Sequence, residues 1–368
     1  MNLMSHVRRA ELSVIGIIDP ERLKYIPTPY HSAHELCFHL HDMMAHLVVA
    51  AERAKASRVL IRLENEAERA ALENASNPID FLSSTGRSDE ERRVAVNAIC
   101  AALFPEMLHF VFAALSALEK RKFSLAFALL RKPFKEGLPV VAFLCADEED
   151  FFRNFKTNTS RYFSNDQFGK IKRQLLQDAV AKVDSFGLVD ADVLYEMIFD
   201  YDKPSGLARL FDLATHLFTT NKSIRTQDYN INFIFKNPAD DDLFRDCYHQ
   251  IAYVLIALHI MQIELMTRMH FPKDAYLEHF LRSAIGAFEA VFGKGPSRMV
   301  AFVNKNFAQF MKCPACHGKL VLTKRKAARF FIAEQIRCGH CGTDSNFPFS
   351  WMFAQAGFHS EAAEASTA

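Results

Sequence analysis

The sequence predicts a mainly α-helical protein: a multi-helix bundle body followed by a small β-rich module near the C-terminus. Three observations predict this. Only 13 Gly and 13 Pro interrupt 368 residues, so few of the residues that stop helices are present. Half of the residues are hydrophobic and 34 are Phe, which suits long helices packed through large rings. Two Cys-x-x-Cys pairs break the pattern: Cys313/Cys316 and Cys338/Cys341, with twenty-one residues between them.

The helices follow from periodicity and punctuation. His31–Lys55 has a helical pattern, opened by the turn chemistry of Pro27-Thr-Pro29. Arg58–Asn74 continues it with charges at i,i+4/5 spacing and breaks at Ser76-Asn-Pro78. Ser84–Ser88 reads as a loop. Ser88-Asp-Glu-Glu91 is a capping box opening a helix to about Lys120, kinked at Pro105. Phe123–Lys132 and Phe134–Cys145 are apolar helices that Pro133 separates. Asp147–Asp150 resembles the acidic start of a helix, and Asp190 and Asp192 look like caps. Helices are expected over Tyr162–Phe186, Asp192–Phe199 and Leu207–Phe218. Asp228–Lys236 alternates Tyr229, Ile231, Phe233 and Phe235, as a short strand or extended connection does. Asp240–Asp242 cap the longest helix, which runs to about Met269, and Lys273–Phe292 follows. Gly293-Lys-Gly-Pro296 is the clearest linker, before a helix over Ser297–Met311.

Domain organisation follows. Residues 1–292 form an all-helical domain with a sub-boundary near 76–88. Residues 293–311 are linker and connecting helix, 312–353 the cysteine module, and 354–368 a disordered tail. Cys37, Cys100, Cys145 and Cys247 are scattered and give no disulfide framework, which points to a reducing compartment. No targeting segment stands out. The longest uncharged run, Cys247–Ile263, carries His249, Gln250, His259 and Gln262 and reads as a core helix. A cytoplasmic protein with no membrane partner is expected.

The cysteine pairs carry the most specific chemistry. A two-residue spacer lets both sulfurs of a pair reach one ion, and four thiolates so arranged match a tetrahedral Cys₄ zinc site. Redox or disulfide pairs are the alternative. With all four positions filled by Cys the site is closed, so the Zn2+ is structural rather than catalytic. His317 and His340 beside the ligands read as supporting or solvent-facing groups. The segment 310–350 resembles a zinc ribbon. Lys319–Thr323 and Arg329–Arg337 read as its strands, Thr323–Ala328 as the hairpin tip, and Asn346–Phe353 as a third strand. So small a module takes its folding energy from the metal.

Charge is the second clue. The whole chain is balanced, with 44 basic and 43 acidic residues. Between Lys305 and Arg337, however, Lys305, Lys312, Lys319, Lys324, Arg325, Lys326, Arg329 and Arg337 face only Glu334. A basic hairpin of Lys319, Lys324, Arg325, Lys326 and Arg329 would contact nucleic acid, with Phe330 and Phe331 beside it, or would dock on an acidic protein surface.

Three constellations lie in the helical body. His34, Cys37 and His41 share one helix face, and His39, Asp42 and His46 another; either trio has metal-ligand types. Arg209 and His216 lie seven apart on one helix, and here the region loosely resembles HEPN-type helical domains. That resemblance implies a metal-independent ribonuclease acting as a homodimer. His216 would be general base toward a ribose 2′-hydroxyl and Arg209 would hold the phosphate. Leu210 departs from the polar residue that usually follows the Arg. Arg245 and His249 have a polar follower but a spacing one short. Finally, Arg131 and Glu136 form either a pair orienting Thr215 or His216, or a solvent-facing turn around Pro133. Gly-rich phosphate loops, nucleophile elbows and dinucleotide fingerprints are not found. The functions left are nucleic-acid binding or docking in a nucleic-acid-handling complex, a HEPN-like ribonuclease, and a helical adaptor whose ribbon binds protein.

Overall fold

Hydrophobic residues at helical spacing dominate the chain, and the backbone obeys them. A computed structural model describes residues 15–163, 165–185, 187–232, 241–271 and 274–349. Among these the chain is a succession of α-helices that ends in a two-stranded antiparallel sheet beside the cysteines. Contacts divide it into two compact units, Met1–Leu40 with Lys273–Ala368, and His41–Pro272. This grouping differs from a division at residue 293. The helix before the linker falls in the same unit as the cysteine module.

In the unit His41–Pro272, the helices are the later part of α1 (His31–Arg53), then α2 (Glu66–Asn74), α3 (Pro78–Ser84), α4 (Ser88–Leu118), α5 (Phe123–Arg131), α6 (Leu138–Ala146), α7 (Glu148–Tyr162), α8 (Asn165–Val183), α9 (Ala191–Phe199), α10 (Leu207–Thr215) and α11 (Asp241–Arg268). α4 packs on α5, α5 on α10, and α6 on α8 and α11. α11 is the core helix the sequence suggested: Phe244, Tyr248, Ile251, Leu255 and Leu258 are all buried. Its polar residues are placed with partners. Gln262 Oε1 accepts from His259 Nδ1 at 2.9 Å, and its Nε2 donates to the Met44 carbonyl at 3.1 Å. Arg268 donates to the carbonyls of Leu144 and Cys145 at the end of α6, where a helix carries its negative end. Two described helices, α4 and α11, are long and apolar enough to cross a membrane, and 83% of the most apolar window of α11 is buried, as a core helix requires.

Several boundaries differ from the sequence expectation. Helix α2 starts at Glu66, not Arg58, because the Asn65 side chain caps it by accepting from the Glu68 N–H at 2.9 Å. Ser88 lies inside α4 rather than capping it. Pro133 does not separate two helices. The chain widens into a π-helical turn over Lys132–Gly137, with the Leu138 N–H donating to the Pro133 carbonyl. The wider turn is one way to hold a proline inside a helical run. Asp147 and Asp190 cap α7 and α9 as expected. Asp192 instead accepts from Arg173 and Gln177. Residues 228–232 form no strand, whereas 233–236, Asp240 and the tail lie outside the described residues.

The other unit contains α12 (Asp274–Phe292), α13 (Arg298–Asn306), α14 (Lys324–Ala333), β1 (Gln335–Arg337) and β2 (Asp344–Asn346). At its N-terminal side the fully buried Glu35 of α1 accepts from the N–H groups of Gly16, Ile17 and Ile18 at 2.7, 2.9 and 3.3 Å, and from Ile15. Four backbone donors compensate a carboxylate that has left water. The Gly293–Pro296 segment is not a free linker. Lys324 Nζ donates to the carbonyls of Gly293 and Gly295 at 2.6 and 2.7 Å, and Glu289 accepts from Ser297 Oγ and the Met299 N–H.

α12 and α14 pack closely because α12 presents Gly286 there. A Cβ built on Gly286 would lie 2.5 Å from the Phe331 ring. Helix propensity alone favours Gly→Ala by about 1 kcal/mol. The packing predicts the opposite sign for Gly286→Ala, a loss of about 1–3 kcal/mol in urea unfolding, as overpacked cores show. A gain in stability would contradict this packing.

Candidate metal centre

Residues 310–349 contain α14, not the expected hairpin. Ala327, Phe330 and Phe331 recur at i, i+3 and i+4 and are buried, which is a helical and not a strand period. The segments expected as strand Arg329–Arg337 and tip Thr323–Ala328 are therefore mostly helix, and only Gln335–Arg337 is strand. Glu334 ends the helix in the left-handed region with φ 53°, turning the chain into β1. β1 pairs with β2 in the register Gln335↔Asn346, Ile336↔Ser345, Arg337↔Asp344. β2 overlaps the expected third strand at Asn346 alone. Phe330 packs against Phe331, Phe347 and Phe349 with ring centroids 5.3–5.5 Å apart.

The two cysteine pairs share one backbone design. In the first, the His317 N–H donates to the Cys313 carbonyl and the Cys313 N–H to the Gly318 carbonyl, each at 2.9 Å. In the second, the Gly342 N–H donates to the Cys338 carbonyl at 3.1 Å and the Cys338 N–H to the Thr343 carbonyl at 2.8 Å. Both turns need a left-handed residue at the fourth position after the first Cys, His317 with φ 55° and Gly342 with φ 77°. Glycine fits the second turn for this reason.

The four sulfurs lie within 4.8 Å of one another. Cys313 and Cys341 are 3.6 Å apart, and Cys316 and Cys338 3.7 Å. A disulfide would need about 2.05 Å, so the pairs are free thiols, whereas a tetrahedron with metal–sulfur bonds of about 2.3 Å has edges of about 3.8 Å. The donor set therefore fits a four-coordinate metal. The electrostatics agree. The Thr343 hydroxyl, then its N–H, pushes Cys341 down to about 6, and the Cys341 and His340 N–H groups lower Cys338. Cys316 is pushed up to about 12: the Gly318 N–H favours its thiolate, but hydrogen bonding with Cys341, burial and the other sulfurs outweigh it. Four sulfurs this close cannot all be thiolates without a cation between them. By contrast, burial pushes the Cys100 thiol up to about 12 and raises Cys145 and Cys247, as befits core residues.

Among the described residues these cysteines are the only His/Cys/Asp/Glu group able to hold a metal. The histidine trios of α1 do not converge. His34 packs edge-on against Phe38, His31 bonds the Ile26 carbonyl, and His41 pairs with Asp42 at 2.8 Å. His317 and His340 are exposed and stand outside the group.

Several of the basic residues expected to be a hairpin tip are used inside the module. Lys324 holds the linker carbonyls, Lys326 Nζ donates to the Arg337 carbonyl at 2.7 Å, and Arg329 donates to Gln335 Oε1 at 2.7 Å. Lys319 and Arg325 are exposed. Lys319, expected as a nucleic-acid contact, and Lys312 of the same basic run face each other across an isolated antiparallel bridge, a pairing that the sequence reading does not contain.

The Arg209/His216 arrangement changes. α10 ends at Thr215, and His216 lies past it in an extended conformation, exposed. The shared helix face that the sequence reading required is absent. Arg131 pairs with Glu136 and does not reach Thr215, whose hydroxyl bonds the Phe211 carbonyl. Lys135 is the residue that crosses to α10. It donates to Asp212 at 2.9 Å and to Tyr201 at 2.7 Å, and Tyr201 donates to Asp212 at 2.6 Å. Burial, helped by Asp212, raises Tyr201. Arg245 and His249 line a cavity of about 360 Å³ with Glu196, Lys203 and Gln250, where burial lowers His249.

Comparison with protein-family models, curated proteins and solved structures gives no match. The resemblance of the body to HEPN-type domains thus has no family match behind it.

Substituting one cysteine of the group should abolish metal retention without removing the helices. Native mass spectrometry of Cys338→Ser should show the metal-free mass, while Cys247→Ser keeps the bound ion. Metal retained by Cys338→Ser would contradict a four-sulfur site.

Proposed function

We propose that this chain is a zinc-ribbon protein whose module binds nucleic acid, so that it acts on its own or within a nucleic-acid-handling complex. An all-sulfur tetrahedral set suits zinc, and no ligand position is left for a substrate, so the ion's role is structural. Cys313, Cys316, Cys338 and Cys341 would hold it; the ion supplies cross-linking between the two turns.

One observation carries the nucleic-acid reading: the uncompensated positive charge on the module. Eight cations over 305–337 face one carboxylate. The lysines that bond carbonyls keep their charge, since a carbonyl does not neutralise an ammonium, and their field still extends to solvent. Lys324, Arg325 and Lys326 also occupy the first turn of α14, with no acidic residue there. Cations at the positive end of a helix oppose its dipole, at about 0.3–1 kcal/mol each. A phosphate placed nearby is attracted both by these cations and by the helix N-terminus. The ribonuclease alternative at Arg209 and His216 draws no support from their geometry, and nothing favours the adaptor reading over this one.

Labelled single-stranded RNA or DNA should bind with an affinity that falls steeply and linearly in a log–log plot against salt. Binding that ignores salt, or none at low salt, would overturn the reading.

A further inference from the structure

We propose that the outer face of the first cysteine knuckle is a stacking platform for single-stranded nucleic acid, formed by Phe310, Lys312, Lys319 and Val321. This rests on the nucleic-acid reading above and names the surface and the strand form.

Burial alternates on both sides of the knuckle. Met311, Cys313, Leu320 and Leu322 are inside at 0–3% exposure, whereas Phe310 is 54% and Val321 49% exposed. Lys312 and Lys319 are exposed too. The Leu320 N–H donates to the Met311 carbonyl and the Cys313 N–H to the Gly318 carbonyl, each at 2.9 Å. These bonds flank Lys312 and Lys319, which makes the two a non-hydrogen-bonded antiparallel pair, the arrangement in which facing side chains come closest. Like charges so placed repel and weaken the pairing. Neither ammonium has a hydrogen-bond or ion-pair partner among the described residues. The Phe310 ring likewise has no aromatic partner among them.

The module's aromatic core is Phe330, Phe331, Phe347 and Phe349, and the exposed Phe310 is not part of it. An anion between the two lysines removes their repulsion, and phosphate is the anion that comes with a flat partner for Phe310. Bases offer their faces only when unstacked, so the fitting ligand is single-stranded. Val321 extends the apolar side on which a base or sugar rests.

The test is fluorescence anisotropy of labelled oligo(dT) and oligo(U) with the full-length, metal-loaded chain across a salt series. Phe310→Ala should weaken binding about 5- to 100-fold with little change in salt slope, as loss of one stacked base does. Lys312→Ala/Lys319→Ala should reduce the slope of log K against log salt by about 1.4, two single-strand phosphate contacts. Lys222→Ala, in the other unit, is the control, and thermal melting checks that the exposed substitutions leave the fold intact. Wild-type binding that both variants retain would overturn the platform while leaving the nucleic-acid reading in place. No wild-type binding to either strand would overturn both. Duplex binding equal to single-strand binding, or equal competition by polyglutamate with Phe310 immaterial, would assign the face to a backbone-only contact or an acidic protein and also overturn it.

Discussion

The C-terminal part of this chain depends on four sulfurs held within 4.8 Å of one another. Each belongs to a tight turn whose N–H groups point back at the first cysteine's carbonyl, and neither turn is long enough to be stable alone. A cation held by the four sulfurs would remove the conflict between them and tie residues 313–316 to 338–341. The helix between the knuckles, α14, then has both ends fixed. Glu334 in a left-handed conformation and the two-stranded pairing after it complete the closure.

That closure accounts for the rest of the unit. Once α14 is fixed, Phe330 and Phe331 face inward, and Phe331 packs against the bare backbone at Gly286 of α12. Lys324 at the start of α14 gathers the carbonyls of Gly293 and Gly295. The result joins the cysteine turns, α14 and α12 by packing, ion–dipole bonds and chain connectivity. It leaves the basic side chains to be sorted into those that hold backbone and those that face outward. The chemistry available to a partner belongs to the second set.

Much of this was legible in sequence, and the failures have physical causes. The helical class is legible because punctuating residues are rare, and the Cys-x-x-Cys spacing points to the four cysteines that do cluster within metal-binding distance. α14 was missed because its first turn, Lys324-Arg-Lys326, has the wrong charge for a helix start and Thr323 makes no side-chain cap. β-branched and aromatic neighbours then suggested strands. The i, i+3, i+4 recurrence of Ala327, Phe330 and Phe331 was present but short. Asn65 outweighed the periodicity of 58–64, since a cap decides where a helix begins. Arg209 and His216 share a helix face only on the assumption that α10 continues past Thr215, and a contact such as Lys135 to Asp212 joins residues 77 apart, which no local pattern reveals.

The central claim, that a metal closes this module, is tested most directly by amide hydrogen exchange with and without a strong chelator. The account predicts that chelation strips protection from the N–H groups of Cys313, His317, Cys338 and Gly342 and from Gln335–Arg337, while the amides of α11 keep theirs. Unchanged protection around the cysteines would contradict it, because the sulfurs would then be held together by packing alone.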